Sequence, residues 1–229
     1  RVITSLLQDV KIPKMIKVHQ KFERPRIEPE DIPNTITSQF SQNKFASKIK
    51  PGMSICITCG SRGISNIPLI IKSIADFCKS KGAHPFVVPA MGSHGGATAE
   101  GQLEILESLG VTPESIGCPI KSSMETVVVG HTVVGDIRPE EVEVRIDKNA
   151  AEADGIILCG RIKAHTAFRG EYESGLMKMM TIGLGKQQGA ESCHKNGFKY
   201  MAYLVPTFGR IIMKNAPVLF GLAILENSF

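Results

Sequence analysis

The chain has 229 residues, 42% of them hydrophobic and 21% charged, with a formal net charge of +5. That composition excludes a disordered chain and fits one large α/β domain with a packed core. The scattered lysines and arginines, the absence of tryptophan and the low aromatic content argue against a nucleic-acid surface, and no run approaches the roughly 18 apolar residues of a membrane span.

The first 50 residues, broken by Pro13, Pro25, Pro29 and Pro33, read as an N-terminal arm and connecting segment. An extended stretch or short strand is expected over Met15–Phe22 and a helix near Ile36–Lys48. Residues 51–229 read as the main domain. Met53–Cys59 predicts a strand, Gly60–Gly63 a glycine loop, and Ile67–Lys81 a helix with apolar residues at helical spacing. The order repeats with a strand over His84–Pro89, a loop over Gly92–Gly96, and a helix carrying Leu103, Leu106 and Leu109. Such alternation predicts a Rossmann-like α/β fold, a parallel sheet flanked by helices.

Alternating apolar residues between Val127 and Ile146, with turns at Gly130 and Gly135, predict a small antiparallel hairpin excursion. A strand over Asp154–Leu158, a short helix over Ser174–Leu184, a helix over Gly197–Lys214 and a strand over Val218–Leu225 complete the pattern. The closing core strand ends so abruptly that a further C-terminal domain is expected to follow it. Six cysteines lie mostly in apolar runs, as free thiols do in a reducing compartment, so a cytoplasmic location is expected. Cys56 and Cys59 have the CxxC spacing, but it falls within a strand and no second pair follows, which weakens zinc and redox readings.

In an open parallel sheet, ligands bind beyond the carboxyl ends of the strands. Arg62, His94 and His165 each follow a predicted strand, so a parallel sheet would bring their loops to one rim. Histidine exchanges protons near neutral pH and ligates transition metals. Each residue also has a plainer reading. His94 and His165 could be surface loop histidines, Lys178 a lysine snorkelling between Met177 and Met179, His194 a solvated histidine, and Arg62 a partner for some acidic neighbour. Gly60–Gly63 and Gly183–Gly185 permit tight turns, but neither is a dinucleotide fingerprint or a P-loop.

Two stretches carry a family resemblance: Gly92-Ser-His-Gly-Gly-Ala-Thr98, and Arg161-Ile-Lys-Ala-His-Thr-Ala-Phe-Arg-Gly-Glu-Tyr-Glu-Ser-Gly-Leu-Met-Lys178, continuing into Ile182-Gly-Leu-Gly-Lys-Gln-Gln-Gly-Ala190 and His194. The chain resembles the N-terminal domain of the nickel-dependent lactate racemase family. The resemblance implies an isomerase, a racemase or epimerase of a 2-hydroxy acid. It implies a nickel-pincer nucleotide cofactor, in which a pyridinium ring with two sulfur arms holds the metal. On this likeness Lys178 and Ser61 are cofactor-binding, Lys178 by a covalent bond. His194 is the nickel ligand, His94 and His165 are the catalytic acid and base, and Arg62 binds substrate. The chemistry suits these residue types: the cofactor takes hydride, two histidines handle the hydroxyl proton, and nickel accepts imidazole and sulfur in a square plane. Where the family's first loop reads Asp-His-Thr-Arg-Pro, this chain has Cys59-Gly-Ser-Arg-Gly63. The interval from His165 to Lys178 is also longer, and both departures suggest a different hydroxy or sugar acid. The alternatives are an oxidoreductase using the same site and a non-enzymatic metal- or nucleotide-binding module.

Overall fold

The computed structural model describes residues 9–11, 13–134, 140–195 and 197–227. Four parallel strands form the central sheet: β1 (Ser54–Cys59), β2 (His84–Pro89), β5 (Gly155–Arg161) and β6 (Val218–Ile224). Their spatial order is β2-β1-β5-β6. A separate antiparallel pair, β3 (Thr126–Val134) and β4 (Glu140–Asp147), is the expected hairpin excursion. The α/β class with a parallel sheet flanked by helices is therefore as the sequence predicts.

The side-chain period of two explains why these strands are apolar throughout. Ile55, Ile57 and Cys59 of β1, Val87 of β2, and Ile157 and Cys159 of β5 face one core. Cys56, Phe86, Val88, Ile156 and Leu158 face the other. The first core is covered by α1 (Ile32–Phe40) and α3 (Ile67–Ser80), with Leu106 of α4 (Ala99–Ser108). Between α1 and β1 lies the short α2 (Asn43–Ala46). The second core is closed by the hairpin and the long C-terminal helix. After α5 (Pro113–Ile116), α6 (Lys148–Ala151) and α7 (Gly175–Lys178) come a single π-type turn over Met179–Gly183, α8 (Lys186–His194) and α9 (Phe198–Asn215).

Several details differ from the sequence reading. Residues 13–28 form no strand, and the predicted helix near Ile36–Lys48 is two helices, the first starting at Ile32. The expected turn at Gly130 is a bulge inside a continuous β3. A Cβ there would lie 2.5 Å from Ile211 Cγ2, so glycine admits α9 rather than reversing the chain. The turn expected at Gly135 lies outside the described residues. The helix expected over Ser174–Leu184 is one α-helical turn followed by the π-type turn, and α8 was not foreseen.

Candidate functional site

The chain leaves β1 toward β2 on one side and leaves β5 toward β6 on the other. Neighbouring strands whose connections diverge leave a crevice beyond their carboxyl ends. The loop of residues 60–66 follows β1 and bears Ser61 and Arg62, and the loop of residues 162–174 follows β5 and bears His165, so both leave the sheet at that end. The loop after β2, bearing His94, leaves there too.

The turn that follows Lys178 packs directly on this rim. A Cβ on Gly60 or on Gly160, at the ends of β1 and β5, would lie 3.2 Å from Met179 Cε. A Cβ on Gly183 would come within 2.7 Å of Ala90 O, just past β2. The Gly92 N–H donates to Gly183 O at 3.2 Å. Glycines at these positions let the Lys178 segment lie close over three strand ends.

The electrostatics tie the predicted residues together. Burial, and then the charges of Arg62 and Lys178, hold the His94 imidazole below its ordinary pKa. Burial, then Lys178, lowers His194. His165 is lowered by burial first, then by Lys178, Lys163 and Arg169, against an opposing pull from Glu173. Lys178, half-buried, is itself lowered by burial, Arg62 and Lys163. One ammonium group thus acts on all three histidines. His94 and His194 are exposed at the surface, so the burial that acts on their rings is partial; Arg62 is exposed, and Ser61 and His165 are partly so. Ser61 Oγ lies 2.5 Å from His94 Nδ1.

Each loop is braced. His165 N–H donates to Glu173 Oε2 at 2.8 Å, and Gly170 N–H to Glu173 Oε1 at 3.2 Å. Arg161 donates to Gly63 O at 3.2 Å and to Glu226 at 2.5 Å, while Ser65 N–H donates to Glu226 Oε1 at 2.7 Å, which fastens the Arg62 loop to the end of β6. Beneath the His94 loop lies a wholly buried polar group of Lys186, Asp147 and Gln102. Lys186 Nζ is 3.1 Å from Asp147 Oδ2 and donates to Pro89 O and, at 3.1 Å, to Gln102 Oε1. With its carbonyl engaged by lysine, the Gln102 amide points its nitrogen at Gly92 O, 2.8 Å, and His94 O, 3.2 Å. Lys186 and Ala97 hold left-handed backbone conformations at φ 54° and 55°, uncommon for residues with a Cβ.

This buried group escaped the sequence reading because no local pattern links Asp147 to Lys186. The CxxC spacing has no chemistry here: Cys56 and Cys59 face opposite cores, all six cysteines are free and buried, and burial pushes the Cys59 thiol up to about 12. Among the described residues no group of three or more His, Cys, Asp or Glu is arranged to hold a metal, and no helix is long and apolar enough to cross a membrane.

The structure is that of an α/β protein whose parallel sheet carries Arg62, His94 and His165 on loops at one end, about a topological switch point. The family described as Domain of unknown function (DUF362) matches residues 49–225, so the chain belongs to that family. No curated protein and no solved structure matches it.

Proposed function

We propose that this chain carries the cofactor site of a racemase or epimerase acting on a 2-hydroxy acid, with a nickel-pincer nucleotide attached at Lys178. The observation that carries the reading is the parallel sheet that brings the loops of Arg62, His94 and His165 to one end, with Lys178 among the charges that lower all three histidines, His194 included.

The residues fit the cofactor. A metal that brings its own pincer donors would need one added imidazole, which His194 can give. An amine whose pKa is lowered by burial and by two neighbouring cations is more often neutral, as attack on a carbonyl or thiocarbonyl carbon requires. Once bound, the cofactor would supply the hydride acceptor that side chains lack.

The rest falls to the chain. Arg62 presents a planar fork to the substrate carboxylate. His94 and His165, with pKa values below the ordinary 6.5, are neutral at pH 7 and so able to serve a hydroxyl group as base and hydrogen-bond donor.

Expression together with the cofactor-making enzymes, followed by intact-mass measurement and peptide mapping, tests the reading. An adduct on Lys178 with bound nickel is expected, and the Lys178→Ala variant should carry none. An unmodified wild-type chain without nickel would end the proposal. Interconversion of hydroxy-acid enantiomers marks the isomerase; a released ketone marks an oxidoreductase instead.

A further inference from the structure

We infer that His94 and His165 are not interchangeable: His94 carries the proton, and His165 is a fixed hydrogen-bond donor through Nε2. The division of labour rests on the reading above, in which both rings serve the substrate oxygen; the tautomer of His165 does not.

The argument comes from what each ring touches. His165 Nδ1 accepts the backbone N–H of Ala167 at 3.1 Å. A backbone N–H can only donate, so Nδ1 must be bare and the proton of the neutral ring must sit on Nε2. The ring is held in that pose by its own backbone N–H on Glu173, by the Arg169 guanidinium on its carbonyl, and by Phe168, whose buried ring lies 4.3 Å away between centroids. Moving the proton to Nδ1, or adding a second one there, would set two N–H groups against each other. Lys178, Lys163 and Arg169 oppose protonation of the ring as well, while Glu173 pulls the other way. A neutral imidazole with its proton on Nε2 cannot accept another at that atom, and it does not surrender its last proton near pH 7. It can donate a hydrogen bond to an oxygen that is gaining charge.

His94 has the opposite kind of partner. Its Nδ1 lies 2.5 Å from the Ser61 hydroxyl, and a hydroxyl both donates and accepts. The contact therefore survives whether Nδ1 is bare or protonated, and His94 can pass between neutral and cationic forms without losing it. With Nδ1–H donating to Ser61 Oγ, the Nε2 lone pair is available as a base. The substrate O–H bond breaks, its proton bonds to His94 Nε2, and the electron pair stays on the oxygen, where the His165 Nε2–H stabilises it. The return step reverses this. One group then serves both enantiomers, so the oxygen keeps its place while the carbon presents either face.

The test is a nitrogen-15 NMR spectrum of the ring atoms in the cofactor-free chain at pH 7, labelled at histidine and assigned with His165→Gln and His94→Gln. A single His165 tautomer, bare at Nδ1 and protonated at Nε2, is expected. The opposite tautomer or a comparable mixture would overturn the inference. Ala167→Pro removes the donor and should release a mixture; an unchanged single tautomer in that variant would overturn the role of Ala167. Should the variant unfold, as the other histidine signals would reveal, the wild-type spectrum decides alone. Neither readout uses turnover, so an inactive chain would count against the proposed function and leave the tautomer standing.

Discussion

Replacing Lys186 by methionine should be among the most damaging single substitutions in the site. Lys186 and Asp147 are both wholly buried, 3.1 Å apart. Burial raises the Asp147 pKa and lowers that of Lys186 despite their mutual attraction, so desolvation outweighs pairing for each. In such a pair, loss of one partner strands the other charge and costs about 3–5 kcal/mol. Lys186→Met with Asp147→Asn removes the stranded charge. It also keeps an acceptor where Asp147 Oδ1 takes the Ala150 N–H at 3.0 Å. Both variants also lose the hydrogen bonds to Pro89 O and Gln102 Oε1, which leaves two buried acceptors unmet at about 1–3 kcal/mol each. That loss is shared, so what separates the two variants is the stranded Asp147 charge, and the double variant should be the more stable. Urea unfolding at pH 7 measures both. A single variant within about 1 kcal/mol of wild type, or a double variant no better than the single, would refute the reasoning.

Gly101→Ala should destabilise the His94 loop, because its Cβ would fall 2.1 Å from Gly95 O, a backbone atom that cannot step aside. Amide hydrogen exchange over residues 91–102 should quicken, and unchanged protection would count against it. At Glu226 burial raises the pKa, but the Arg161 hydrogen bond, the Ser65 N–H and the Arg161 charge together leave it below 4.5. A carboxylate depressed on folding contributes stability above its unfolded pKa and loses it as pH falls through the folded value. Glu226→Gln should therefore flatten the acid limb below about pH 4.5, and an unaltered pH–stability profile would contradict this.

The parallel sheet and the rim were readable because their signals are local. β1, β2 and β5 are short apolar runs, and each is followed by a loop rich in glycine or polar residues. Parallel order alone then brings Arg62, His94 and His165 to one end of the sheet. The π-type turn and α8 were less legible. Gly183 and Gly185 look like turn residues, yet they serve close approach to Ala90 and Thr181 within a compact helical segment. Gln102, Asp147 and Lys186 were invisible as a group because their pairing exists only once the hairpin, α4 and α8 have met beneath the His94 loop. The Ala167 contact on His165 likewise depends on backbone geometry that residue order does not reveal.

Lys178→Met tests the shared rim most directly, through NMR titration of the histidine rings in the cofactor-free chain. The Lys178 charge lowers the pKa of His94, of His165 and of His194, so its removal should raise all three together. If the three values rise in concert, the amine and the imidazoles face one another. If none moves, or only one does, they do not form a site.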